Sequence, residues 1–531
     1  MSNYEWNLEE IASAKDVSPV TRKIELALNR AGLGEDACIA AKTRMLADLA
    51  SAFGTVRSTP EDDALSRAPV AILWVPGRIE VAGKHTDYAG GRSLLCAVPR
   101  GLLGLVRKRT DQQCRVVTLD HSVPPHDRVA RFGLEDNASS VPPFGHWSRY
   151  MRVALQRLAR DFPELKGVDI AIASDLPGAS GMSTSSALVC LAFLSLDYAN
   201  SESKAGLPSL RERAEFLRSI PDDLSLFEYL GCLENGKSYR SLTGDAGVGT
   251  FGGSEDHTAI MCSHRDELRV FSFCPTFFES KVAFPVDQFV FVVGVSGVLA
   301  EKTGSANADY NSAAAQASAC ARRLGCATLG DALSLHGGVA SCKAAVRHGA
   351  FDATSGTAAP SAGVLDARSL AAMTGRLEQF ASESEEVVPG LATSISTGDA
   401  SACGCLSATS QRNSEVHLGN IVEATRWLPS RARHLGACAA SAFGAGFGGS
   451  VWALVEVPAI HDHHSNTTYQ DSAAAADEHS AGKLVDGRKA ALAAGSAFAA
   501  KWREDYVRAF PENATRSSFF AMLPAPGACR V

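Results

Sequence analysis

The sequence predicts a mixed α/β protein built from two domains. Three observations carry this expectation. At 531 residues the chain exceeds what one ordinary hydrophobic core accommodates. Short β-branched runs alternate with amphipathic helical stretches through its first half. Around Pro285 the texture changes, and "FVFVVGV" opens a new buried strand.

Taken in order, residues 1–60 read as a helical accessory segment. In "VTRKIELALNRAG" apolar residues recur at helical spacing and a glycine follows as a stop. "VAILWV", Val70–Val75, is a strand ending at Pro76 and Gly77. "HWSRYMRVALQRLARDF" is an amphipathic helix, "VDIAIASD" a strand, and "GASGMSTSSALVCLAFLSLDYA" a small-residue loop entering an apolar helix. A first domain over 61–285 and a second over 286–531 follow. Near 350–365 and 461–485 the sequence is polar and without periodicity, which reads as surface insertions. His461, His463 and His464 fall in the second of these, where a solvated segment is the plainer reading than a metal site. No internal repeat is visible.

Composition narrows the partners. With 51 Lys and Arg against 58 Asp and Glu, the formal charge of -7 offers no field to gather nucleic acid or an anionic membrane. The expected partner is a small molecule. No apolar run is long enough to cross a bilayer and the N-terminus is polar and acidic, so the expected location is cytoplasmic. The 14 cysteines lie mostly inside apolar segments as small hydrophobes, and no C-x-x-C pair occurs.

Two stretches compete as phosphate loops. "GCLENGKS", Gly231–Ser238, fits the pattern G-x-x-x-x-G-K-S letter by letter. That loop needs a buried strand before it, whereas "PDDLSLFEYL" is a helix start with Leu226, Leu230 and Leu233 at helical spacing. "LPGASGMSTSSAL", Leu176–Leu188, does follow a strand and does enter a helix. There backbone N–H groups and the positive helix end can cradle a triphosphate, and a hydroxyl can reach its metal ion. A Ser-rich turn with an N-cap is the structural alternative. A third glycine-rich turn, "SAFGAGFGGSVWALVE", lets backbone approach a ligand or another segment closely.

The order of these features resembles the galactose, homoserine, mevalonate and phosphomevalonate (GHMP) kinase superfamily, and the segment after the first strand narrows the likeness to the galactokinase family. "GRIEVAGKHTDYAGG" is similar to the signature G-R-x-N-x-I-G-E-H-T-D-Y-x-x-G, "GMSTSSAL" to G-L-S-S-S-A-S-L, "GGSEDH" to G-I-M-D-Q, and "GAGFGG" to the third motif. The likeness runs from about Pro69 to the C-terminal "PAPGA".

The resemblance implies an α/β domain and an α+β domain with the active site in the cleft between them, ATP and Mg2+ as cofactors, and a sugar as substrate. It implies that Asp256 accepts the proton of the anomeric hydroxyl, while Arg78 stabilises charge and holds that carboxylate ionised. Sugar contacts fall on Glu80, Lys84, His85, Asp87, Gly253 and Tyr310. The nucleotide falls on Gly178, Ser180, Gly181, Ser183, Thr184, Ser185 and Ser186, with Trp147 and Tyr150 near the base. The metal falls on Ser185 and Glu234; the extra residues "KSYRSLTGDAGV" keep Asp245 open as an alternative to Glu234.

The departures matter most at the sugar. Glu80 stands where the family has Asn, and Lys84 where it has a Glu that contacts the carbon-six hydroxyl. An ammonium only donates, so it favours an acceptor or anion. Either Glu80 and Lys84 pair and the substrate stays galactose, or Lys84 meets an oxidised carbon six and the substrate is a uronic acid or another aldose. The family also includes sensors that bind sugar and ATP without turnover; the full-length serine loop, with Arg78 and Asp256 present, favours an enzyme.

Overall fold

The computed structural model describes residues 5–15, 18–33, 36–55, 68–136, 141–143, 145–178, 180–201, 209–298, 305–348, 351–352, 357–358, 365–458 and 473–531. His461, His463 and His464, and most of the 350–365 insertion, lie outside them.

Three helices open the chain: α1 (Leu8–Ala12), α2 (Pro19–Arg30), started by a Ser18 cap on the Thr21 N–H, and α3 (Asp36–Thr55). A first, eight-stranded sheet follows. Its main path runs β14–β1–β2–β5–β3–β4, with β1 (Val70–Ala82), β2 (Arg92–Lys108), β3 (Gln113–Thr118), β4 (Val129–Gly133), β5 (Val168–Ser174) and β14 (Cys529–Arg530). β6 (Glu267–Ser272) and β7 (Phe277–Ala283) extend it from β2.

Both faces of this sheet are covered, which explains why β1 is apolar at nearly every position rather than alternating. Val70, Ile72 and Trp74 face a core built with α1–α3. Ala71, Leu73 and Val75 face the helices Arg149–Asp161, Thr184–Ala199 and Asp223–Glu234. The N-terminal helices are thus a layer of the first sheet rather than an appendage to it, and Trp6 bridges directly to Val70.

The second sheet is antiparallel in the order β11–β12–β8–β13, with β8 (Phe289–Val295), β11 (Ala439–Phe443), β12 (Ser450–Glu456) and β13 (Ser518–Met522). A helical cluster spanning Ala317 to Phe380 has its own apolar core. It includes two-residue strands β9 (Phe351–Asp352) and β10 (Thr357–Ala358) in sequence.

Two expectations shift. The first strand runs on through Pro76 and Gly77 to Ala82, because bulges between Pro76 and Arg78 and between Glu80 and Ala82 absorb the proline. The chain also does not end inside its second half. β14 pairs antiparallel with β1, Leu73 opposite Arg530, and the Val531 N–H reaches Ile72 O at 2.9 Å.

Candidate active site

The far end of β1 carries Arg78 and Glu80, two residues apart and therefore on one side of a strand. Arg78 Nε and Nη2 donate to Asp256 Oδ1 at 2.7 and 2.6 Å. Its Nη1 donates to Gly181 O at 2.7 Å, so one guanidinium ties the catalytic candidate to the serine loop. Burial works against the charge of Arg78, but the Asp256, Glu255 and Glu80 carboxylates outweigh it and hold its pKa above the usual range.

Asp256 sits in the first turn of the helix Glu255–Cys262. The turn before it is tight: a Cβ on Gly253 would lie 2.3 Å from Asp87 Oδ2, so only glycine lets the two segments meet. Asp87 Oδ2 accepts from the Glu255 N–H at 3.3 Å. Burial, then the Asp256 charge, pushes the Asp87 carboxyl upward. Glu255, with Ser93 Oγ donating to its Oε2 at 2.7 Å, is driven well up by burial and by its carboxylate neighbours Glu80 and Asp87.

Glu80 Oε2 accepts the Gly444 N–H at 2.9 Å, linking β1 to the glycine turn of the second sheet. Burial pushes its carboxyl up to about 7 against the pull of Arg78. His85, at φ 59°, is held by Tyr88 Oη on Nδ1 at 2.8 Å and by Ala445 O near Nε2 at 3.3 Å. Arg78, Glu80, His85, Asp87, Gly253 and Asp256 line one cavity, together with Tyr88, Glu255 and His257. Tyr88 and Glu255 lie within the motifs themselves, but neither was selected from sequence: Tyr88 acts through His85, and only folding brings Glu255 to Arg78.

Lys84 departs from both expectations. It is 2% exposed, its Nζ donates to Ser441 Oγ at 2.6 Å, and it is not among the residues lining that cavity. Among the described residues it forms no ion pair with Glu80. The Gln379 side chain donates to Lys84 O at 2.8 Å and Glu383 accepts the Gly83 N–H at 3.0 Å, so this turn is clamped from the second half of the chain. Burial lowers the Lys84 pKa, opposed chiefly by the Glu383 charge. Tyr310 falls in the helix Ser305–Arg323, and its side chain lies outside the described residues.

The serine loop opens onto a second, larger cavity lined by Gly178, Ser180, Gly181, Ser183, Thr184, Ser185, Trp147 and Tyr150. Ser183, at φ 60°, precedes the helix Thr184–Ala199. The buried hydroxyls of Ser180 and Ser183 have no partner among the described residues. The glycine turn comes close here: a Cβ on Gly444 would lie 2.8 Å from Gly181 O. The rival "GCLENGKS" is the end of the helix Asp223–Glu234, and Lys237 donates to Gly252 O at 2.8 Å.

The hydroxyl beside Glu234 belongs to the residue after Ser185. Ser186 Oγ donates to Glu234 Oε2 at 2.8 Å and lies 3.4 Å from Asp256 Oδ2, while Ser185 lines the larger cavity. Residues i and i+1 on a helix point about 100° apart, and Ser186 is the one facing inward. His257 Nε2 lies 2.9 Å from Glu234 Oε2 without hydrogen-bond alignment. Asp245 is engaged elsewhere, with Arg157 at 3.5 Å and Arg160 at 3.4 Å. Ser186, Glu234 and Asp256 are oxygen donors in one place and fit a hard cation such as Mg2+.

Residues 149–223 match the GHMP kinases N terminal domain. That match takes in the helix Arg149–Asp161, β5, the serine loop and the helix Thr184–Ala199. Residues 63–108 match the galactokinase galactose-binding signature. It is similar to galactokinases from Actinobacillus pleuropneumoniae (35% identical over 118 residues, 22% of this chain and 29% of that one) and Clostridium perfringens (30% over 146 residues, 27% and 36%). The aligned stretches therefore span well under half of these relatives. The crystal structure of Lactococcus lactis galactokinase complexed with galactose superposes with a TM-score of 0.61 at 20% identity, covering 93% of this chain and all of that one.

Proposed function

We propose that the protein is an ATP-dependent sugar 1-kinase that phosphorylates the anomeric hydroxyl of galactose. The observation that carries this is Arg78, whose guanidinium bonds both the Asp256 carboxylate and the serine-loop carbonyl of Gly181. It sets the proton acceptor at a fixed position relative to the loop that would hold the triphosphate.

In this reading Asp256 takes the proton from the sugar hydroxyl. Oδ1 already accepts two guanidinium bonds, so the proton goes to Oδ2. The sugar oxygen then forms a bond to the terminal phosphorus of ATP as the bond to ADP breaks. Ser180 and Ser183, with the N–H groups opening the Thr184–Ala199 helix, take phosphate oxygens. Ser186 and Glu234 would hold Mg2+, which supplies neutralisation of phosphate charge when bound. Arg78 positions Asp256 and offsets charge developing beside it. His85, Asp87 and Glu80 are the sugar-facing polar groups, and Tyr310 joins them by its place in the sequence.

The burial of Lys84 supports a neutral carbon six over a carboxylate. A division near residue 285 into two domains, with the C-terminal strand returned to the first, remains our working boundary. We place the protein in the cytoplasm, where its proposed substrate ATP is available. No helix among the described residues is long and apolar enough to cross a membrane.

The test is ADP release with ATP, Mg2+ and galactose, glucose, galacturonate, glucuronate or arabinose. Preference for galactose supports the proposal; preference for a uronate overturns the sugar assignment. Binding of sugar and ATP without ADP release would make the protein a sensor. ATP hydrolysis without sugar that is lost in Lys237→Ala would restore the rival loop.

A further inference from the structure

One wall of the larger cavity comes from none of the motifs. Ala41, Arg44, Met45 and Asp48 of α3 line it, at the i, i+3, i+4, i+7 spacing of a single helix face. The cavity has a volume of about 1410 Å3, above the range of roughly 300–1,000 Å3 typical of small-molecule pockets, so the serine loop occupies only part of its boundary.

The opposite face of α3 is anchored. Leu46, Ala47, Leu49, Ala50 and Phe53 are buried against the first sheet. Between the two faces stands Lys42, 2% exposed, whose Nζ donates to Pro99 O at 2.8 Å and to Asp175 Oδ2 at 3.0 Å and lies 4.5 Å from the Trp74 ring centroid. Asp175 is the residue at which β5 passes into the serine loop, and its other oxygen accepts the Gly101 N–H at 2.6 Å. The α3 wall and the root of the phosphate loop are therefore held by one carboxylate.

Arg44 and Asp48 are exposed on the cavity side. Although they stand one helical turn apart, among the described residues their side chains form no ion pair with each other and neither side chain has a hydrogen-bond partner. Across the cavity stand Leu119, Trp147, Tyr150 and Leu188. Aromatics, an adaptable methionine and polar groups, with Arg44 and Asp48 on α3 and Asp120, His121 and Ser122 after β3, offer stacking together with donors and acceptors, which matches a nucleoside better than it matches more phosphate.

We propose that α3 forms the outer wall of the nucleoside half of the ATP site, with Ala41 and Met45 packing on the purine, Asp48 accepting from nucleoside O–H or N–H groups, and Arg44 donating to its ring acceptors. This rests on the reading of the cavity as an ATP site. Because α3 is tied to the serine loop through Lys42 and Asp175, the nucleoside wall and the phosphate cradle keep a fixed separation.

The test is calorimetric titration of the full chain with ATP, ADP and inorganic triphosphate, each with Mg2+. Arg44→Ala and Asp48→Ala are each expected to weaken ATP and ADP by about tenfold or more, the loss of a charge-assisted hydrogen bond, while triphosphate affinity stays within about twofold. Both side chains are exposed, so unchanged thermal melting in both variants is expected and separates this effect from misfolding. Wild-type ATP and ADP affinity in both variants overturns the α3 assignment while leaving the ATP site standing. Equal weakening of triphosphate also overturns it, since the residues would then act on charge alone. If the wild-type chain binds triphosphate but gains nothing from the nucleoside, or binds no nucleotide, the reading of the cavity itself fails.

Discussion

Arg78 is the residue on which the site turns, because it meets Asp256 and Gly181 with separate nitrogens. Lysine would keep the charge but cannot span both partners with a planar fork. Arg78→Lys is expected to lower kcat by about 100-fold or more, the scale of losing one aligned electrostatic contact. Steady-state kinetics at saturating ATP checks it, and near-wild-type kcat would remove Arg78 from the reaction. For Asp256→Ala, turnover should vanish while sugar binding by calorimetry stays within about tenfold. Ser186 and Ser185 separate by Mg2+ titration: Ser186→Ala should raise the Mg2+ requirement by about 10-fold or more, Ser185→Ala much less. The reverse order would return the metal to Ser185.

Glu80 gives a pH signature. Its folded pKa, about 7, lies above the ordinary 4.5, so between those values the folded chain binds a proton that the unfolded chain has lost. Stability contributed by this group is full below about pH 4.5, declines as pH rises through that window, and is gone above about pH 7. Denaturant midpoints at pH 5, 6, 7 and 8 should fall across the window in the wild type and fall less in Glu80→Gln. Parallel curves would show that Glu80 does not titrate there.

At the scale of elements, the first sheet contains a buried charge cluster. Asp169 of β5, wholly buried, accepts from Arg107 at 2.8 Å, Arg109 at 3.0 Å and Arg115 at 2.9 Å. Asp169→Ala removes the one carboxylate that these three cations share, leaving Arg109 its pairing with Asp111 at 2.7 Å, and should destabilise the fold by about 3–5 kcal/mol in denaturant titration. A loss under about 1 kcal/mol would mean water reaches the arginines.

Elements also mark where the sequence could be read. Strands apolar on both faces and helices with a clean apolar stripe were legible, as was the decoy "GCLENGKS", because its context demanded a helix. The run of β1 through Pro76 was not, since a bulge depends on a partner strand far along the chain. In the site, Arg78, His85, Asp87 and Asp256 could be picked out by motif alone. Lys84 could not be placed, because its partner Ser441 lies 357 residues away, and motif letters do not say which way a side chain turns. The choice between Ser185 and Ser186 hinged on helix phase, and α3 carried no motif at all.

At the scale of the molecule, the two sheets meet through the site itself. Glu80 reaches Gly444, Lys84 reaches Ser441, and Ser450 Oγ donates to Ser180 O at 2.6 Å. Each bond joins a strand or loop of the first sheet to β11, β12 or the glycine turn between them. Cutting Lys84 back to Met removes a cation beside Glu383 and Glu80 as well as one of these links.

The pairing of β14 with β1 has a consequence for how the protein is made. The outer edge of β1 waits for residues 529 and 530, about 450 residues further along. At roughly 5–20 residues per second, the stretch between the two strands takes about 20–90 seconds to make, and that edge stays open for at least as long. Until then β1 is paired with β2 on one side and open on the other, and an open apolar edge is the template on which edge-to-edge aggregation begins. A chain cut back before Cys529 therefore keeps every catalytic candidate and leaves Leu73 and Trp74 without their partners on that edge.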